Sequence, residues 1–146
     1  MSRERIVSES IQIAAPPEQV FDLLADPSRH RLIDGSGMLR GTISGPQRLH
    51  QGARFGVNMR MVLPYRVTNT VVEYEENRRI AWQHAARHTW RYELQPTADG
   101  GTSVTESWDW SASPVARPME LVKLPARNTL AIRQSLQRLK QVLESG

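Results

Sequence analysis

The run from Pro118 to Gly146 constrains the fold more than any other stretch of this chain. Leu121, Leu124, Ile132, Leu136, Leu139, Val142 and Leu143 recur at steps of three and four, the spacing of a helix with one apolar stripe. Arg127, Arg133, Gln134, Gln137, Arg138, Lys140 and Gln141 largely cover the rest of its surface. Such a helix is unstable alone in water and has to bury its stripe. Most of what precedes it reads as strand, so its partner is a sheet. Pro125 interrupts the run while the apolar register continues, which predicts a kink or two abutting helices. Asn128 projects close to the middle of the stripe, the first sign that the helix covers a cavity as well as a core.

Upstream, Arg5 to Ala14 alternates, with Val7, Ile11 and Ile13 on one side, joined there by Glu9. Ala15-Pro16-Pro17-Glu18 stops this strand and starts a helix, because proline suits a first helical turn and an acid suits its positive end. Asp26-Pro27-Ser28 ends that helix and opens a second, shorter one through Leu32 and Ile33. Strands follow at hairpin spacing. One places Phe55, Val57, Met59 and Met61 on a single face. The return strand, 65–75, offers two faces: Val67, Asn69, Val71 and Glu73, or Thr68, Thr70, Val72 and Tyr74, and a bulge would reconcile them. Turns at Glu76-Asn77-Arg78 and Asp99-Gly100-Gly101 frame the last three strands. The expected fold is α+β: an antiparallel seven-stranded curved sheet wrapped around a long C-terminal helix, with two short helices after the first strand.

A chain of 146 residues with 39% apolar and 23% charged content predicts a single domain over 1–146. No apolar run is long enough for a membrane span, and the charged N-terminus does not resemble a secretory signal, so the default expectation is cytoplasmic. The absence of cysteine excludes disulfides, thiolate catalysis and Cys-ligated metal centres. The net charge of +4 is almost entirely arginine, since only Lys123 and Lys140 are lysines.

Ala15-Pro16-Pro17-Glu18-Gln19-Val20-Phe21-Asp22-Leu23-Leu24-Ala25-Asp26-Pro27, Arg79-Ile80-Ala81-Trp82, the Gly100-to-Thr105 hairpin and the closing amphipathic helix together resemble the START-like, polyketide cyclase/dehydrase (SRPBCC) superfamily. The resemblance covers essentially the whole chain and implies a helix-grip fold. It is poorly specific for activity, since such folds host many functions.

Pairing the last three strands from their turns sets His84 opposite His88, Trp82 opposite Trp90 and Ile80 opposite Tyr92. Across the next turn, Tyr92 meets Glu106, Trp90 meets Trp108 and His88 meets Trp110. One face then carries Trp82, Trp90 and Trp108 beside Tyr92 and Glu106, an aromatic wall with a few convergent polar groups. A carboxylate on that face has to be paired, protonated or directed into a cavity. The expected ligand-binding set is Val57, Met59, Met61, Asn69, Trp82, Trp90, Trp108, Asn128 and Ile132. The expected catalytic set is Glu106 as base, Tyr92 as proton donor, and His84. His30 and His50 are expected at the surface, and His84 with His88 lacks a third ligand at metal-site spacing, so neither a metal nor a cofactor is expected.

The expected function is binding of a hydrophobic or aromatic small molecule, polyketide-like or lipid-like, between sheet and helix. Cyclase or dehydratase chemistry, implied by the resemblance, is undecided. The alternative is an interaction protein that meets RNA, ribosome or an acidic protein through the basic helix. Nucleic acid is the weaker expectation, because exposed aromatics do not interleave the basic positions. The chain is expected as a monomer or homodimer.

Overall fold

Alternation at period two produces β1 (Ile6–Ile13), and Pro16-Pro17 ends it by opening α1 (Pro17–Leu24), with Pro17 in the first turn and Glu18 beside the positive helix end. The computed structural model describes residues 4–34, 39–60 and 63–145. Asp26 caps the next short segment, a 3₁₀ helix over Pro27–Leu32, by accepting a hydrogen bond from the Ser28 backbone N–H at 3.0 Å. β2 (Leu39–Ser44), β3 (Arg54–Arg60), β4 (Pro64–Glu75), β5 (Arg79–Gln83), β6 (Thr89–Pro96) and β7 (Thr102–Asp109) follow. All pair antiparallel in one sheet of order β1-β7-β6-β5-β4-β3-β2, with the first two strands of the chain at its edges. α2 (Ala116–Leu121) and α3 (Leu124–Glu144) close the chain.

The central registers are those the turn signals predict: Trp82 faces Trp90, Tyr92 faces Glu106, and Trp90 faces Trp108. The ambiguity in β4 resolves through a bulge between Val71 and Glu73. Asn69 and Val71 are buried before it. After it the parity reverses, so Tyr74 turns inward against Phe21 and Glu73 turns outward to Arg91.

Proline at position 125 falls in the first turn of α3, where its missing N–H costs nothing, and Lys123 at φ 60° separates two abutting helices. The apolar register therefore does not run through the junction. Leu121, expected on the buried stripe, is 82% exposed, while α2 buries Ala116 and Met119 instead. Within α3, Ile132, Leu136 and Leu139 are fully buried where the helix lies over β1 and β7. They share one buried cluster with Val20, Phe21, Leu23 and Leu24 of α1 and with Ile13 and Val104. Among the described residues no helix is long and apolar enough to cross a membrane.

Candidate functional site

Because α3 covers β1 and β7, the concave face of β3 to β6 is left partly uncovered beside the N-terminal half of that helix. A cavity of about 650 Å³ occupies this space. Val57, Met59 and Asn69 line it from β3 and β4, Trp82, Trp90 and Tyr92 from β5 and β6, and Glu106 from β7. Asn128 faces it from α3, and His84 and His88 stand where the β5–β6 turn meets it.

Two of the expected ligand-binding positions, Trp108 and Ile132, do not line the cavity. Trp108 is fully buried but lies behind the wall, beneath α3, stacked on Trp110 at 4.7 Å between ring centres. Its indole Nε1–H donates to His88 Nδ1 at 2.9 Å, so Trp108 orients a wall residue and does not itself line the cavity. Ile132 shares the helix but is fully buried and belongs to the core. Met61 lies outside the described residues. Glu9, on the apolar side of β1, is held by Arg133 at 3.1 Å and takes no part in the cavity.

His30 corrects a second expectation. It is buried, stacks on Trp82 at 4.8 Å, and lines the cavity. Its Nε2–H donates to the Leu24 carbonyl at 2.7 Å, which assigns the ring proton to that nitrogen. A six-residue 3₁₀ helix is too short to show an amphipathic period that would betray which residue faces inward. His50, by contrast, is exposed.

The polar groups gather at the inner wall. Glu106 is 3% exposed and shares a hydrogen bond with the Tyr92 hydroxyl, while its Oε1 is buried with no partner. Burial raises its carboxyl well above the usual carboxylate range; the Tyr92 bond works against this and the nearby Asp34 charge adds to it. Tyr92 is itself raised, by burial and then by Glu106. Asn69 Oδ1 is likewise buried and unpartnered. Two polar atoms without partners are costly in a packed interior, and here both belong to residues that line the open space.

The two turn histidines are neutral at ordinary pH. Burial and then His88 bring His84 down to about 3, and burial brings His88 down to about 4. Their rings lie 4.4 Å apart, and among the described residues no cluster of three or more His, Asp or Glu side chains forms a metal site. The basic helix is also less available than its sequence suggests. Arg133 engages Glu9, Arg138 donates to the Asp34 carbonyl at 2.6 Å, and Lys140 binds Glu144 and the Gln12 carbonyl.

A family model described as polyketide cyclase / dehydrase and lipid transport matches residues 4–144. Uncharacterized protein Rv0088 of Mycobacterium tuberculosis is 41% identical over 108 residues, which is 73% of this chain and 48% of that protein. The chain thus spans about half the length of the curated relatives it matches. Among solved structures, protein NE0264 of Nitrosomonas europaea superimposes with a TM-score of 0.72 at 16% identity, covering 99% of this chain and 97% of that one. Protein MLL2253 of Mesorhizobium loti does so with a TM-score of 0.70 at 19% identity, covering 97% and 98%. At such identities the structural likeness concerns the fold.

Proposed function

The chain belongs to the polyketide cyclase / dehydrase and lipid transport family, and from that premise we propose that it holds one hydrophobic or aromatic small molecule between sheet and α3. The observation that carries this reading is the cavity of about 650 Å³ whose wall is mostly apolar and aromatic, with unpartnered polar atoms of Glu106 and Asn69 at residues along it. Burying an apolar guest there contributes roughly 25 cal/mol per Å² before ordering costs. The guest presents an apolar body to Trp82, Trp90 and Val57 and a polar group to Glu106 and Asn69.

Native mass spectrometry of the protein purified from its own cells tests the idea, alongside tryptophan-fluorescence titration with apolar ligands. The expected outcome is a single bound organic molecule, lost in Asn128→Trp, whose indole fills the space, while circular dichroism stays unchanged. Undiminished binding by that variant would place the ligand elsewhere and sink the reading.

The Glu106–Tyr92 pair favours a second reading, in which the same cavity catalyses cyclase or dehydratase chemistry. A base role for Glu106 needs the ionised carboxylate, which burial disfavours, so the residue enters as an acid. In the loss of water from a β-hydroxy ketone, Glu106 protonates the departing hydroxyl as the C–O bond breaks. The α C–H electron pair forms the C=C bond, and the α proton passes to the Glu106 carboxylate, restoring the acid. His84, down to about 3, is too weak a base to compete. Glu106→Gln should bind substrate yet lose turnover by at least roughly a hundredfold. Wild-type turnover by that variant removes Glu106 from the chemistry.

A further inference from the structure

The cavity opens at one end of the domain. Its wall reaches Ile33 and Asp34 after the 3₁₀ helix, Tyr65 at the start of β4, His84 and His88 at the β5–β6 turn, and Leu124, Arg127 and Leu130 at the start of α3. The start of β1 and the end of β7 lie at this same end, because Thr89 pairs with Asp109 and Asp109 with Ile6.

Isolated exposed apolar side chains are ordinary. Here they gather around the mouth: Leu121 is 82% and Val122 63% exposed at the α2–α3 junction, and Leu63 is 74% exposed two residues before Tyr65. Leu130 and Leu32 are also exposed on the same rim segments. A second observation accompanies the first. Arg31, Arg66, Arg87, Arg117, Lys123 and Arg127 are all exposed on those segments, and no ion pair of the described residues includes any of them. Asp34, Asp109 and Glu120 stand at the mouth end, and other acids sit at the opposite end. Asp22 and Glu76 are bridged by Arg48 there, Asp99 lies in the β6–β7 turn, and Glu144 accepts from the Ala14 backbone. The mouth end therefore carries six exposed cations outside those ion pairs around an apolar opening.

Aliphatic side chains projecting among unpaired cations match one kind of surface: anionic headgroups over hydrocarbon. A nucleic acid would share the charge but gains little from Leu121 and Val122, since bases stack on rings. We propose that the mouth end docks on an anionic lipid bilayer, with Leu121 and Val122 entering the headgroup layer and Arg117 and Lys123 meeting phosphates. The cavity then opens towards the membrane, whatever molecule it carries.

Co-sedimentation with vesicles tests this: phosphatidylcholine alone against phosphatidylcholine with about one-third phosphatidylserine. The protein should bind the anionic vesicles, weakly or not at all the neutral ones, and less as salt rises. Arg117→Gln/Lys123→Gln should lower the affinity roughly twentyfold, and Leu121→Gln/Val122→Gln at least roughly tenfold. Apolar-dye uptake, measured on the same variants, should be unchanged, since none of these four residues lines the cavity. Equal binding to both vesicle types, or variants that bind like the wild type, overturns the proposal. So does a dimer that Leu121→Gln/Val122→Gln converts to monomer with vesicle binding unaltered, or tighter binding to a short RNA than to the anionic vesicles. Dye uptake without vesicle binding would remove the docking and leave the cavity reading intact.

Discussion

Glu106 sits where an ionised group is most costly, and two neighbours decide how it is accommodated. Tyr92 supplies a hydrogen bond, while Oε1 is buried without a partner in a residue that lines the cavity. Its folded-state pKa is raised, so its contribution to stability is complete below the unfolded value of 4.5 and is lost as pH rises through the folded value. Glu106→Gln keeps the shape without the ionisation. Urea denaturation should therefore find the variant's stability flatter than wild type on the alkaline side, and no lower there. Tyr92→Phe should act oppositely, costing about 1–3 kcal/mol by stranding the carboxyl. A Phe variant as stable as wild type would mean that the shared hydrogen bond contributes nothing. Glu106 was legible from sequence because strand parity alone puts it among tryptophans. His30 was not, since nothing in Pro27–Leu32 repeats often enough to define a face.

At the scale of elements, the hairpins β5–β6–β7 were readable because their turns pin the register, and every cross-strand pair follows from a turn position once that is set. β4 could not be settled the same way. Its bulge is a local change of parity, and both of its faces carry β-branched residues that suit either side. The helical stripe was legible only within α3. A period of 3.6 says which residues share a face, but the left-handed Lys123 resets the direction of the chain before that face begins. The consequence is measurable, because Leu121 and Leu139 look alike in the sequence. Leu139→Ala should cost about 2–5 kcal/mol in chemical denaturation, since it empties a fully buried site against β1. Leu121→Ala should stay within about 0.5 kcal/mol. Similar losses for the two would mean that α2 packs its leucine after all.

The whole molecule divides into a packed end under α1 and an open end around the cavity, and its response to acid follows from what stands at the open end. His30, His84 and His88 all border the cavity, and burial is the leading cause that lowers each of them from 6.5. A histidine with a depressed folded pKa binds its proton more readily in the unfolded chain, so stability falls as pH drops below 6.5 and continues to fall towards the folded values, about 4 for His88 and about 3 for His84. Glu106 opposes this with one proton over the range above 4.5. Three sites against one leave the histidines ahead, by at most about 2–3 kcal/mol per pH unit. The Tm should therefore decline between pH 7 and pH 5, and the decline should be shallower in His84→Gln/His88→Gln, where the glutamine oxygen at 88 can still accept from Trp108 Nε1. A Tm that holds or rises across that interval would show that these rings are hydrated enough to take up protons in the folded state. A bound apolar guest excludes water from the same rings, so its affinity should fall together with the Tm as the histidines become charged. Titrating the ligand at pH 7 and pH 5 checks the coupling, and equal affinity at both would separate the mouth histidines from the binding space.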